Sequence, residues 1–238
     1  PRAARFADTD PSNSGLAPLH WGRMRHRVER CLWRVGLSLA VLNLPGLMRA
    51  QLCDHIPDEP RSELRLFGGY SPDSWRAIGG AADRQFVLAG VTYSYLCRVW
   101  GSTSVSYTGA IMPVAILLQP AQTVTAVVDG ALVRRSLPAH SVYGVAVSPL
   151  GATIEFARTR SLHPFFEGLL GLIASTEPIP IPAANATGLN FTVDLGGGIR
   201  WKIAERRALT FGYKFFHISN ANTTSYNPGI DNNIIYAG

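Results

Sequence analysis

FTVDLGGGIRWKI (Phe191–Ile203) is followed, after a short turn at Ala204–Arg206, by RALTFGYKFFHIS (Arg207–Ser219). Both segments alternate. In the first, Phe191, Val193, Leu195, Ile199 and Trp201 fall on one face, with Thr192, Asp194, Gly196, Gly198, Arg200 and Lys202 on the other. In the second, Leu209, Phe211, Tyr213 and Phe215 share a face that His217 and Ser219 continue, opposite Ala208, Thr210, Gly212 and Lys214. A period of two defines strands, and the short turn makes them an antiparallel pair. Charged residues on the polar side of consecutive long strands are expected where a barrel closes on itself. Apolar faces then meet lipid while the charges pair in the lumen. The glycine run Gly196–Gly198 suits strand curvature or close packing and lacks the strand-to-helix context of a phosphate loop. Trp201 and Tyr213 are candidates for the interfacial aromatic belts.

Working toward the N-terminus, further strands are expected over Glu63–Tyr70, Arg84–Leu96 and Ser102–Leu118, the last with a bend or bulge at Pro113. Gln119–His140 contains VTAVVDGALV, readable either as a hairpin around Asp129-Gly130 or as an irregular insertion. Ser141–Ser148 alternates again, Pro149–Gly151 reads as a turn, and Ala152–Arg158 either extends that strand or begins another. His163–Ala174 is one more strand, before the Pro- and Asn-rich loop TEPIPIPAANATG. The count is about eight, many near the 9–11 residues that a tilted strand needs to cross a bilayer. The expected fold is therefore all-β, an antiparallel transmembrane β-barrel of about eight strands. The rival is a soluble periplasmic barrel with its apolar face turned inward onto a hydrophobic ligand.

Composition narrows the classes further. The chain carries a formal charge of +6, but eight Arg against Asp8, Asp10 and Glu29 put +5 of it before residue 51. A basic face for nucleic acid is thus excluded from the barrel, where Arg and Lys are nearly balanced by acids. The excess belongs to a leader. MRHRVERCLWR from Met24, the apolar run Val35–Leu47 and Ala50 as a cleavage point together read as a secretory signal peptide over residues 24–50. The run is shorter than the roughly 20 residues of a spanning helix. Residues 1–23 read as sequence upstream of the true start, and residues 51–238 as the barrel domain. The ending Tyr236-Ala237-Gly238 lacks the terminal aromatic usual in such barrels, so the last strand is expected to be cut short. Cys53 and Cys97 remain after removal of the leader; two cysteines leave open whether they pair. His55, His140 and His163 stand apart with no ligand spacing, which argues against zinc.

Beyond Ser219 the chain continues NANTTSYNPGID to Asp231. His217 and Ser219 are a base and a nucleophile on one strand face, about 6–7 Å apart at Cα. Asp231 is a carboxylate within one loop of them. The run HISNANTTSYNPGID resembles the C-terminal signature of the lipid A 3-O-deacylase family, also called acyloxyacyl hydrolases. His217, Ser219, Asn220, Ala221, Asn227, Gly229 and Asp231 match it in order. The resemblance implies an outer-membrane barrel that removes an ester-linked acyl chain from lipopolysaccharide. It implies Ser219 as nucleophile, His217 as general base and Asp231 as the acid orienting the base, where family members carry Glu. The Asn227 side chain and the backbone amides after Ser219 become the oxyanion donors, with Asn220, Asn222 and Gly229 supporting the loop. Asn222 stands where the family often has Gly. No cofactor is implied. The implied partners are the lipid A substrate and the surrounding outer-membrane lipids, with a homodimer left open. Because Asp replaces Glu and Asn222 replaces Gly, an inactive barrel with a structural or binding role is the alternative function.

Overall fold

The computed structural model describes residue 53 and residues 62–128, 131–179, 187–224 and 227–238. The expected leader, residues 24–50, and the segment before it lie outside the described residues. In chain order the strands are β1 (Ser62–Ser71), β2 (Ser74–Trp75), β3 (Gln85–Trp100), β4 (Thr103–Gln119), β5 (Gln122–Val128), β6 (Ala131–Leu137), β7 (His140–Glu155), β8 (Leu162–Ser175), β9 (Leu189–Ala204), β10 (Arg207–Ser219) and β11 (Ile230–Ala237). Eight long strands run in the order β1-β3-β4-β7-β8-β9-β10-β11, every neighbour antiparallel, and β11 returns to β1 through Gly68↔Ala237, Gly69↔Tyr236 and Tyr70↔Ile235. The sheet is closed. This is an eight-stranded antiparallel transmembrane β-barrel.

The alternation decides which way each side chain points. Leu195, Ile199, Phe211 and Ile235 are exposed on the outer surface, as are Leu64, Leu66, Leu150 and Leu170 from other strands. Asp194, Arg200 and Lys214 are buried inside. An outer belt of large apolar residues is what a hydrocarbon solvent requires, and closure pairs the strand edges that an open sheet would expose.

Short connections gather at one end: β3 to β4, β7 to β8 and β9 to β10. The segments joining β1 to β3, β4 to β7, β8 to β9 and β10 to β11 all emerge at the other, longer-looped end. The lumen is layered along this axis. Toward the long loops it is filled by apolar side chains, among them Phe86, Leu117, Ile173, Phe216, Ile218, Ile230 and Ile234, with Phe86 and Phe216 stacked at 5.7 Å between centroids. Toward the short turns it is ionic. Lys214 Nζ meets Asp194 at 2.8 Å and Glu167 at 3.4 Å, and Glu167 also accepts from Arg65. Arg200 bridges Glu155 and Glu63. Each of these lumenal charges thus has an opposite partner, without which burial would cost several kcal/mol.

Three details differ from the reading of the sequence. Pro149–Gly151 is no turn: β7 runs through it with a bulge, its register shifting between Ala152↔Tyr107 and Ser148↔Ala110 on one side and between Val147 and Leu150 on the other. Proline has no N–H for the ladder, and a bulge lets a strand continue past it. Lys202 is not in the lumen but exposed at the short-turn rim, where its Nζ donates to the Arg158 carbonyl at 3.0 Å. Tyr213 stands at mid-strand rather than at a belt, and its hydroxyl donates to Asn233 Oδ1 beside it. Elsewhere the structure meets one expectation and decides two readings left open. Pro113 lies at a register shift of β4, between Met112 and Ala115. VTAVVDGALV forms a hairpin, β5–β6, with Val128 paired to Ala131. Cys53 and Cys97 are joined by a disulfide.

Candidate active site

His217 and Ser219 lie at the long-loop end of β10, on the outer face. Their neighbours Phe216 and Ile218 fill the lumen, so strand parity alone sends His217 and Ser219 outward. The ring of His217 lies nearly parallel to that of Phe215, with centroids 6.4 Å apart. Directly across the ladder from His217 stands Asp231. Residues opposite each other in an antiparallel pair share a face. Asp231 therefore points outward, toward His217.

The contact is short: His217 Nδ1 lies 2.5 Å from Asp231 Oδ1. Asp is one methylene shorter than Glu, but direct cross-strand pairing brings the two Cβ atoms close enough for the shorter side chain to reach. With Nδ1 engaged as the donor, Nε2 is the nitrogen left to accept a proton.

Asp231 is fully buried although it belongs to the lipid-facing side. The cover comes from the segment joining β1 to β3. Its strand β2 pairs with β11 through Trp75↔Asp231 and Ser74↔Asn232. The backbone N–H groups of Ala77, Ile78 and Gly79 then donate to Asp231 Oδ2 at 2.9, 2.7 and 2.8 Å. Nothing in the sequence reading pointed to these three residues. The available signal was the Gly79-Gly80 pair, since backbone at a close approach has no room for a side chain.

Ser219 Oγ accepts from the Ala221 N–H at 3.3 Å, and among the described residues no hydrogen bond joins it to His217. The two side chains are one pleat repeat apart on the same face, and nucleophile–base contacts in substrate-free sites are often open. The following loop is held by its own amides. Asn220 is buried; its N–H donates to Asn227 Oδ1 at 2.9 Å, and its Oδ1 accepts from the Asn222 N–H at 2.9 Å. Asn227 Nδ2 donates to Asn222 Oδ1 at 3.2 Å. Asn227 thus serves the loop with both its polar atoms, and the backbone donor next to Ser219 Oγ is that of Ala221. Asn222 has φ +60°. Glycine adopts that conformation freely and Asn is among the side chains that tolerate it best, which accounts for Asn at this position. Gly229 has φ +62°, and a Cβ there would sit 3.2 Å from His217 Cε1. Its lack of a side chain keeps room for the imidazole. Among the described residues no cluster of His, Cys, Asp and Glu could hold a metal ion.

An outer-membrane-type barrel with a His–Asp pair and a neighbouring serine on its outer face at one rim is the class that fold and site define. A model of the family described as lipid A 3-O-deacylase (PagL) matches residues 117–238, from the end of β4 to the C-terminus. The chain belongs to this family. Among solved structures it is similar to the outer membrane enzyme PagL, with 13% identity, a TM-score of 0.54, and coverage of 72% of this chain and 96% of that one. Neisserial surface protein A also aligns, at 9% identity and TM-score 0.43, over 75% of this chain and 96% of that one. No curated protein sequence matches.

Proposed function

We propose that this protein is an outer-membrane esterase that hydrolyses an ester-linked acyl chain of lipid A, with Ser219 as nucleophile, His217 as general base and Asp231 as its orienting acid. The observation that carries the reading is the 2.5 Å contact between His217 Nδ1 and Asp231 Oδ1 on the outer face, one pleat repeat from a serine hydroxyl. A carboxylate on Nδ1–H fixes the tautomer in which Nε2 can take the serine proton. Ser219 Oγ then attacks the ester carbonyl while His217 takes its proton. The tetrahedral oxyanion is met by the Ala221 N–H, released as Ser219 Oγ turns to the substrate, with the second amide proton of Asn227 as the further donor. Collapse expels the sugar hydroxyl, which recovers the proton from His217. Water activated by the same imidazole frees the fatty acid and restores Ser219.

The outward position suits the substrate. Lipid A esters lie at the boundary of sugar and hydrocarbon in the membrane, so a site on the lipid-facing rim meets them without a deep pocket. Residues 24–50 would direct export, and the barrel would take its place in the outer membrane. The test is mass spectrometry of lipid A incubated with wild type and with Ser219→Ala. Wild type is expected to remove one hydroxyacyl mass and the variant none; identical spectra would reject the esterase reading and favour a non-enzymatic barrel.

A further inference from the structure

The segment Ser74–Ala81 follows the edge of β11 that β1 leaves uncovered. β1 pairs with β11 only from Gly68 to Tyr70, against Ala237 to Ile235. Farther toward the loops the β11 edge would be open. Instead the chain continues along it: the Asn233 N–H donates to Ser71 Oγ at 2.9 Å, Ser74 and Trp75 pair with Asn232 and Asp231, and the Ala81 N–H donates to the Gly229 carbonyl at 3.2 Å. The Gly80 N–H donates to the Pro228 carbonyl. One strap therefore ties the β1–β3 connection to both ends of the Pro228–Asp231 corner.

Between these ties, three successive N–H groups converge on one oxygen, Asp231 Oδ2. The other oxygen is left to His217. An ionised carboxylate on the outer face of a membrane strand is costly unless every lone pair is engaged and lipid is kept away. The strap does both, presenting Trp75 and Ile78 outward, 62% and 73% exposed, while Asp231 beneath is fully buried. The approach depends on Gly79: a Cβ there would lie 2.8 Å from the Gly229 carbonyl carbon and 2.8 Å from the Ile230 nitrogen, both backbone.

Building on the esterase reading, we infer that the strap Ser74–Ala81 is a positioning element of the active site, with Gly79 as its key residue. By fixing Oδ2 it aims Oδ1 at His217 Nδ1 and sets the tautomer and angle of the base. No strap residue touches the reacting atoms.

The test uses the full-length barrel in detergent micelles and two readouts. The first is the low-field proton resonance of the His217 Nδ1–H, which reports the bond to Asp231 and needs no substrate. It is expected in wild type and in Gly68→Ala, where an added Cβ meets nothing within 4 Å, and lost or shifted in Gly79→Ala. The second is kinetics on lipid A. Gly79→Ala should lower kcat roughly 100-fold, as small misplacements of catalytic groups do, with little change in KM. Added to Asp231→Asn, it should cost nothing more, because both act through one carboxylate. A general loosening of the barrel would add its cost in either background. If Gly79→Ala does not fold, Ala77→Pro removes one of the three donors without filling the Gly229 contact, and the same loss of resonance is expected. An unchanged resonance in a folded strap variant, or additive costs in the double variant, would overturn the inference. A wild type that shows the resonance but leaves lipid A intact would instead reject the esterase reading and leave the strap standing.

Discussion

Replacing Asp231 by Asn keeps the shape of the side chain and changes only which of its ends can accept. The outcome follows from counting donors. Three N–H groups, from Ala77, Ile78 and Gly79, point at the Oδ2 position, and one imidazole nitrogen points at Oδ1. An amide has one acceptor end. Turning its NH2 toward the strap would leave three buried donors unpaired, at about 1–3 kcal/mol each, or roughly 3–9 kcal/mol together. Keeping its oxygen toward His217 would return about 1 kcal/mol for a single hydrogen bond. The strap therefore wins and the NH2 faces His217. Nδ1 must then accept, the ring proton moves to Nε2, and the nitrogen required to take the Ser219 proton becomes a donor that cannot do so. Loss of the right tautomer in a triad costs on the order of 10⁴ in rate, about 5 kcal/mol of barrier. Initial rates of fatty acid release from lipid A, measured by mass spectrometry for wild type and Asp231→Asn in the same detergent, check this. The variant should fold, since the strap keeps its acceptor. Activity within tenfold of wild type would refute the reasoning, showing either that the strap yields or that Asp231 does not set the tautomer.

Two further perturbations address the barrel itself. Lys214→Met removes the cation 2.8 Å from Asp194 and 3.4 Å from Glu167, while Glu167 keeps Arg65. Breaking a buried pair on one side costs about 3–5 kcal/mol, to be read from the urea dependence of barrel unfolding in lipid vesicles; a loss below about 1 kcal/mol would mean that the lumen is wet enough to solvate Asp194. Leu195→Arg puts a charge on the outer face near mid-strand, where a lipid-facing position should lose about 2–4 kcal/mol in the same measurement. No loss would contradict a membrane-facing surface and revive the soluble barrel.

The sequence carried the fold because two strands, Phe191–Ile203 and Arg207–Ser219, alternate without interruption. Their polar faces bear Asp194, Arg200 and Lys214, which a half-solvated sheet has no need to bury. Where proline interrupts the alternation, local rules mislead. Pro149 reads as a turn, yet a bulge carries β7 past it, and only the partners on both sides make that visible. The same limit applies at the site. His217 and Ser219 were legible as a same-face pair because strand parity is local. The reach of Asp231 was not, since it depends on the register that sets His217 opposite Asp231. The strap was invisible. Its three donors are backbone groups, which every residue has, and they lie more than 150 positions from their acceptor.

A barrel whose outside is lipid and whose inside is packed has one place left for a polar reaction, its rim. The lumen beneath the site is closed by Phe216, Ile218, Ile230 and Ile234, all essentially inaccessible, so no substrate approaches from within. The outer face must therefore host a carboxylate, an imidazole and a hydroxyl where hydrocarbon begins, and the three are protected unequally. Asp231, the full charge, is covered by the strap and given four donors. His217, side chain 13% exposed, keeps one edge bonded and lies alongside Phe215. Ser219, neutral and cheapest to expose, ends β10 at the loop. Burial is complete for the charged group and partial for His217 and Ser219, following the cost of leaving a charge in lipid. It also leaves accessible the hydroxyl that, on the proposed reading, meets an ester. That difference explains why Asp231 needs a strap and Ser219 does not.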